Sequence, residues 1–158
     1  MPKRHPGLIP LSHDHHHGLA LALRCRKQAL GQIKPTGAEG LRLRAREFLT
    51  LYAAELRSHF EAEEGILFPK MSLHVPEGEE LIADLMRDHE SVRLAIPKLQ
   101  ATVGLGKVIF DLGDLLERHI RREERELFPL FEQHAAVIGA DEIAEKLTNF
   151  LELARRRD

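Results

Sequence analysis

Two stretches of this chain carry the same side chains able to ligate a metal, in the same order and at the same spacing. His59-Phe60-Glu61-Ala62-Glu63-Glu64-Gly65-Ile66-Leu67-Phe68-Pro69 and His119-Ile120-Arg121-Arg122-Glu123-Glu124-Arg125-Glu126-Leu127-Phe128-Pro129 both read His-x-x-x-Glu-Glu-x-x-Leu-Phe-Pro. The second copy starts at position 119, sixty residues after position 59. Residues four apart share one face of a helix, so each copy sets an imidazole beside a carboxylate. Upstream of each copy stands an Asp-His pair: Leu11-Ser12-His13-Asp14-His15 is echoed by Leu85-Met86-Arg87-Asp88-His89. The order is therefore His15, His59 and Glu63, then His89, His119 and Glu123. Two such units related by a pseudo-twofold axis would bring four imidazoles and two carboxylates together. That is a ligand set for two metal ions.

Taken singly, either His-x-x-x-Glu pair is an ordinary surface pair contributing a few tenths of a kcal/mol. Their neighbours point elsewhere. His119 and Glu123 share a stripe with Leu112, Leu115, Leu116 and Leu127. Burying a carboxylate there costs several kcal/mol unless it is paired or bound to a metal. The same placement recurs in the other copy, which favours a metal site. The set contains no thiolate, which excludes structural zinc of the cysteine kind. Four histidines are also more than an all-oxygen calcium or magnesium site would use. Imidazole with a bridging carboxylate suits iron, manganese or zinc. Ferritin-like di-iron bundles use Glu-x-x-His, so the spacing here sets the chain apart from them.

The elements that must position these groups read as helices throughout. Leu, Ala, Glu and Arg are frequent and aromatic residues make up only 5% of the chain, which favours helix over strand. Residues 1–11, with Pro2, Pro6 and Pro10, read as an irregular lead-in. Ser12 or Asp14 can cap a first helix, with Leu19, Ala20, Leu23 and Leu30 at helical spacing and a stop near Gly31. A longer second helix runs from about Ala38 to Leu73 with Leu41, Ala45, Phe48, Leu49, Tyr52, Leu56 and Phe60 on its apolar side. A third starts near Glu79, and Pro97 should kink or split it. A fourth spans about Lys107 to Gln133. Pro69 and Pro129 are expected to kink or end their helices at matching points. A short last helix lies within residues 139–155, followed by Arg155-Arg156-Arg157 as a solvated, fraying end. The fold class is all-α: an up-down-up-down four-helix bundle over residues 12–134 with a short C-terminal helix. The whole chain, residues 1–158, is expected to be one domain.

Bulk composition closes several alternatives. The 23 basic and 25 acidic residues give a formal net charge of −2, so no strong charge favours nucleic acid or an anionic membrane as partner. No apolar run is long enough for a signal peptide or a membrane span. Cys25 is the only cysteine; it reads as a small buried residue of a helix, and a reducing compartment, the cytoplasm, is expected. No Ser-His-Asp grouping, phosphate-binding Gly loop or redox Cys pair offers a competing enzyme mechanism.

On the two His-x-x-x-Glu-Glu-x-x-Leu-Phe-Pro motifs the chain resembles the hemerythrin family, specifically the bacterial hemerythrin-like or HHE cation-binding domains, over roughly residues 11–134. The resemblance implies a four-helix bundle around a non-haem di-iron centre. By motif position His15, His59, His89 and His119 would be terminal ligands, with Glu63 and Glu123 bridging the metals. An oxo or hydroxo group would complete the bridge and leave room for dioxygen on one iron. The oxygen-carrying members have a fifth histidine one turn after the third-helix His, where this chain has Arg93. Their last carboxylate is an Asp at the position of Glu124. The missing histidine speaks against simple reversible oxygen carriage.

Within the cluster His13, His15, His16 and His17, alignment with Asp88-His89 selects His15 as ligand, with His16 the alternative if the register slips by one. Asp14 and Asp88 are placed either to accept hydrogen bonds from ligand imidazoles or to cap helices. Glu55 reads as a surface or supporting residue, and as a possible further ligand; Tyr52 reads as a core aromatic with a bonded hydroxyl. His74 and His134 read as bundle-end residues. The leading functional expectation is a metal protein, more a binder than an enzyme, that binds or senses dioxygen or a related small oxidant. Iron handling or oxidase/peroxidase-type activity is the alternative at the same centre, and a zinc- or manganese-loaded interaction module is the third. A signalling output would need a protein partner.

Overall fold

The computed structural model describes residues 3–156, and Arg157 lies outside them. Five helices organise the chain, and no strand occurs among the described residues. Helix α1 is Ile9–Ala29, following a 3-10 turn at Pro6–Leu8. Helix α2 covers residues 37–74, α3 is Glu79–Ala95, α4 covers residues 105–133, and α5 is Ala140–Arg156. Gly31 and Gly104, both in the left-handed region at φ 72° and 73°, mark the end of α1 and the start of α4.

The lead-in is shorter than expected and Ser12 and Asp14 do not cap. Helix α1 starts at Ile9 with Pro10 in its first turn, where the missing N–H is not needed. Both side chains serve other helices instead. The Ser12 hydroxyl donates to Glu124 Oε2 at 2.7 Å, and Asp14 Oδ2 lies 2.9 Å from His59 Nδ1. The buried face of α1 is also not the expected stripe. Leu11, Gly18, Leu21, Ala22 and Cys25 are buried, whereas Leu23 and Leu30 are 45% and 60% exposed. Burial pushes the Cys25 thiol up to about 12, as expected of an inert core cysteine.

Pro97 ends α3 at Ala95, and the chain continues as a tighter turn over Ile96–Gln100. Pro69 and Pro129 neither end nor break their helices. Ahead of each, the helix opens into a wide turn, Glu63–Leu67 in α2 and Glu123–Leu127 in α4. There Phe68 N–H bonds Glu63 O and Phe128 N–H bonds Glu123 O, five residues back instead of four. The wider turn makes room for a ring that would otherwise strike the carbonyl four residues earlier. A third wide turn, Tyr52–Leu56, has no counterpart in α4, whose residues Leu105–Arg122 are regular.

The apolar interior is divided in two. One core contains Leu11, Leu67, Phe68, Leu85, Leu127 and Phe128; the other contains Leu21, Phe48, Leu56, Val92, Leu112 and Leu116. Helix α1 runs from the first core to the second, α2 from the second to the first, α3 back again, and α4 returns. That alternation is the up-down-up-down bundle. On every helix the histidines and carboxylates of the repeats fall where the chain passes from one core to the other. Helix α5 lies outside the four, against α2 and the Pro6–Leu8 turn. Its Arg155 is docked, not frayed: the guanidinium donates to Asp14 Oδ2 at 2.8 Å and to Ser58 Oγ at 3.2 Å.

Helices α1 and α4 pack closely through Gly18 and Gly113. A methyl group on Gly113 would lie 2.8 Å from the Ala22 carbonyl oxygen and 3.0 Å from Cys25 Cβ. Gly113→Ala should therefore lose about 1–3 kcal/mol to overpacking, outweighing a helix-propensity gain of about 1 kcal/mol. The thermal midpoint should fall by about 2–4 °C per kcal/mol of net loss. Gly65→Ala, with nothing within 4 Å of the added methyl, should hold or raise it. An unchanged midpoint for Gly113→Ala would mean that the helices separate freely at this point.

Candidate metal centre

Between the two cores lies a layer made of His15, His59, Glu63, His89, His119 and Glu123, each no more than 3% exposed. Helix α1 supplies His15, α2 His59 and Glu63, α3 His89, and α4 His119 and Glu123. Within a helix the spacing of four works as expected: His59 Nε2 lies 3.5 Å from Glu63 Oε2, and His119 Nε2 lies 3.5 Å from Glu123 Oε2. Between halves the pairs cross over. His15 Nε2 lies 2.9 Å from Glu123 Oε1, and His89 Nε2 lies 3.1 Å from Glu63 Oε1. The outcome is two overlapping groups, His15-His59-Glu63-Glu123 and Glu63-His89-His119-Glu123. In each, one potential ligand atom per residue lies within 4.8 Å of all the others. Both carboxylates belong to both groups.

Every imidazole of the layer is held from behind by a carboxylate at Nδ1. Asp14 Oδ2 holds His59 at 2.9 Å and Asp88 Oδ2 holds His119 at 3.0 Å. Glu124 Oε2 holds His15 at 2.5 Å and Glu64 Oε2 holds His89 at 2.7 Å. Nδ1–H donates outward and Nε2 faces the centre, so loss of the Nε2 proton leaves the tautomer a metal ligand needs. Three of the four carboxylates are in turn held by an arginine: Arg4 on Glu124 at 3.1 Å, Arg93 on Glu64 at 2.9 Å and Arg155 on Asp14 at 2.8 Å. Among the described residues none holds Asp88. Phe60 lies flat on His89 with ring centroids 3.9 Å apart, and Phe128 stacks on His15 at 5.4 Å. The apolar walls keep the local dielectric low, so each charge acts strongly on its neighbours.

Burial opposes charge on His119, but the Glu123 carboxylate and Asp88 outweigh it and push the imidazole up to about 10. His59 is also raised, burial being overcome by Glu63, Asp14 and Glu123, and His15 is raised against burial by Glu123 and Glu124. Glu123 moves the opposite way, well below the usual carboxylate range, because His119 and the hydrogen bonds around it outweigh desolvation. Desolvation of Asp14 is likewise overcome by His59 and Arg155, which hold it at about 2. The donor set fits a cation. Both oxygens of Glu63, Glu123 Oε2, His89 Nε2 and His119 Nε2 are buried with no hydrogen-bond partner. The 3.1 Å approach of His89 to Glu63 is too poorly directed to be one. Buried polar atoms left this way cost free energy that ligation removes.

The structure brings all six residues of the expected ligand set together. In the first-helix cluster His15 is buried and belongs to the layer, whereas His16 is exposed. Asp14 and Asp88 bond imidazoles on neighbouring helices. Glu55 faces His17 at the surface, 2.8 Å away, and Tyr52 is half-buried beneath the Arg57 guanidinium. Neither belongs to the clustered groups. His134 bonds Glu77 at the bundle end. Sequence reasoning gave no role to Glu64 and Glu124, the second carboxylates of the two motifs, or to Arg4 and Arg155. The signal for the first two was present, since both motif copies carry Glu-Glu. The arginines act across more than a hundred residues of chain, where spacing carries no signal.

The chain matches the hemerythrin HHE cation-binding domain over residues 8–131. It belongs to that family, whose members bind metal cations. No curated protein and no solved structure matches it.

Raised imidazoles must give up protons to become ligands. Since His119 keeps its proton up to about pH 10, cation loading at pH 7 should release protons, about one or more per ion, and cation affinity should rise with pH. Acidification of a weakly buffered sample during titration with a divalent cation checks this. Loading with no proton release would show the imidazoles already neutral.

Proposed function

We propose that this chain is a non-haem di-iron protein whose buried centre binds or senses dioxygen or a related small oxidant. The observation that carries the reading is the sharing of Glu63 and Glu123 by two overlapping ligand groups. Two carboxylates common to two groups are an arrangement for a pair of ions held close together. His15 and His59 would complete one site, His89 and His119 the other. Imidazole with carboxylate favours iron, with manganese or zinc as competitors. Six protein ligands leave two irons short of full coordination. An iron pair held this way supplies redox chemistry and an open position for a small oxidant.

The chain's own residues prepare that position. Asp14, Asp88, Glu64 and Glu124 fix the imidazole tautomers, and Phe60 and Phe128 cover the rings and keep bulk water from them. Arg93 stands where the oxygen carriers of the family have a fifth histidine. It turns to Glu64 and lies 5.9 Å from the Phe60 ring centroid, so it supports His89 from outside. The shortage of one imidazole favours a second reading at the same centre, iron handling or oxidase/peroxidase-type activity. No helix is long and apolar enough to cross a membrane among the described residues, and the lone, buried Cys25 is consistent with the reducing cytoplasm we propose as the compartment.

Metal analysis of the purified chain should find about two irons per chain, the number the shared-carboxylate geometry predicts. Charge-transfer bands that form in air and bleach on deoxygenation would support reversible binding. Bands that form and stay would support the second reading, and firmly held zinc would remove both. Glu63→Ala and Glu123→Ala should each lose both ions and lower the thermal midpoint, because each carboxylate serves both sites. Full metal retention in both variants would overturn the bridging assignment.

A further inference from the structure

Outside the buried layer, the chain builds one more histidine into the same kind of pair. His17 Nδ1 lies 2.8 Å from Glu55 Oε1 and 3.1 Å from Oε2. Among the described residues the histidines whose Nδ1 faces a carboxylate are His15, His59, His89, His119 and His17. The first four form the buried layer. His17 is the fifth, and its side chain is 48% exposed. His5 and His134 use Nδ1 differently, accepting from the Gly7 N–H and meeting the Leu130 carbonyl. One turn before His17 on α1 stands His13, also exposed, with the two ring centroids 4.9 Å apart.

We propose that His13 and His17 form a second cation site at the protein surface, for a transition-metal ion of the zinc, nickel or copper type, with Glu55 orienting His17. The chemistry is that of two imidazoles four residues apart on a helix, which point from one face and can share an ion. Glu55 accepts from His17 Nδ1–H, which leaves Nε2 as the free lone pair, as in the buried centre. His13, with its ring exposed, turns about its side-chain torsions to meet the same ion, and water completes the coordination. Position supports the assignment as well. Glu55 sits in the wide turn Tyr52–Leu56, the one without a counterpart in α4. The other two wide turns each begin with a carboxylate of the buried layer, Glu63 and Glu123. All three wide turns thus present a carboxylate to a histidine.

This site stands apart from the buried centre and does not depend on which metal that centre holds. The test is a calorimetric titration of the full-length, metal-loaded chain with Ni²⁺. Dialysis and metal analysis of the same samples count separately the ions kept by the buried centre. About one further Ni²⁺ per chain is expected, the number two imidazoles sharing one ion implies. It should be lost in His13→Ala and in His17→Ala, be weakened about 10-fold in Glu55→Gln, and persist in His16→Ala. All these side chains are at least partly exposed, so the variants should fold. No added Ni²⁺, binding that survives both His13→Ala and His17→Ala, or equal loss in His16→Ala would overturn the proposal. An altered count of retained ions alone would bear on the buried centre and leave the surface site standing.

Discussion

Burial of charge governs this molecule. Glu63 and Glu123 have no exposed surface, and four imidazoles surround them between two apolar cores. An isolated carboxylate in that place would be excluded by desolvation alone. It persists because each charge has an opposite one within about 3–4 Å. Removing one member of such a set leaves another uncompensated, which is why the layer behaves as a unit and not as six separate residues. The four helices, their alternating direction and the packing of α1 on α4 are the means by which all members reach one level of the bundle.

Around that layer the two halves are alike but not equivalent. The crossed contacts, His15 to Glu123 and His89 to Glu63, obey the pseudo-twofold axis. The outer supports do not. Helix α5 packs against α2 and the Pro6–Leu8 turn and brings Arg155 to Asp14, whereas Asp88 in the other half is held by no arginine among the described residues. Asp14 is 1% exposed at its side chain and Asp88 26%. The imidazole of His59 is therefore braced more firmly than that of His119, and two ions at the centre would sit in unequal surroundings.

Much of this was legible in the chain itself. The sixty-residue repeat and its apolar stripes indicated four helices and the six clustered residues, because a spacing of four fixes which side chains share a face. The same rule could not separate His15 from His16 by periodicity alone; alignment of the two Asp-His pairs did. What stayed hidden were contacts that no local spacing encodes: Arg155 on Asp14, Arg4 on Glu124, and the bond from Ser12 to Glu124 that removed Ser12 from its expected capping role. Pro69 and Pro129 misled for a different reason. A proline breaks a regular helix, but here the turn before it is not regular.

Those wide turns carry a consequence for how the repeats tolerate change. In a regular helix each added or removed residue rotates everything beyond it by about 100°. A turn closed five residues back already holds one residue more than its neighbours. Reverting it to regular helix would re-aim the Leu-Phe-Pro end relative to the His-x-x-x-Glu end. The two parts of α2, and of α4, are thus phased independently, one toward the ion-binding layer and the other toward the apolar core beneath it.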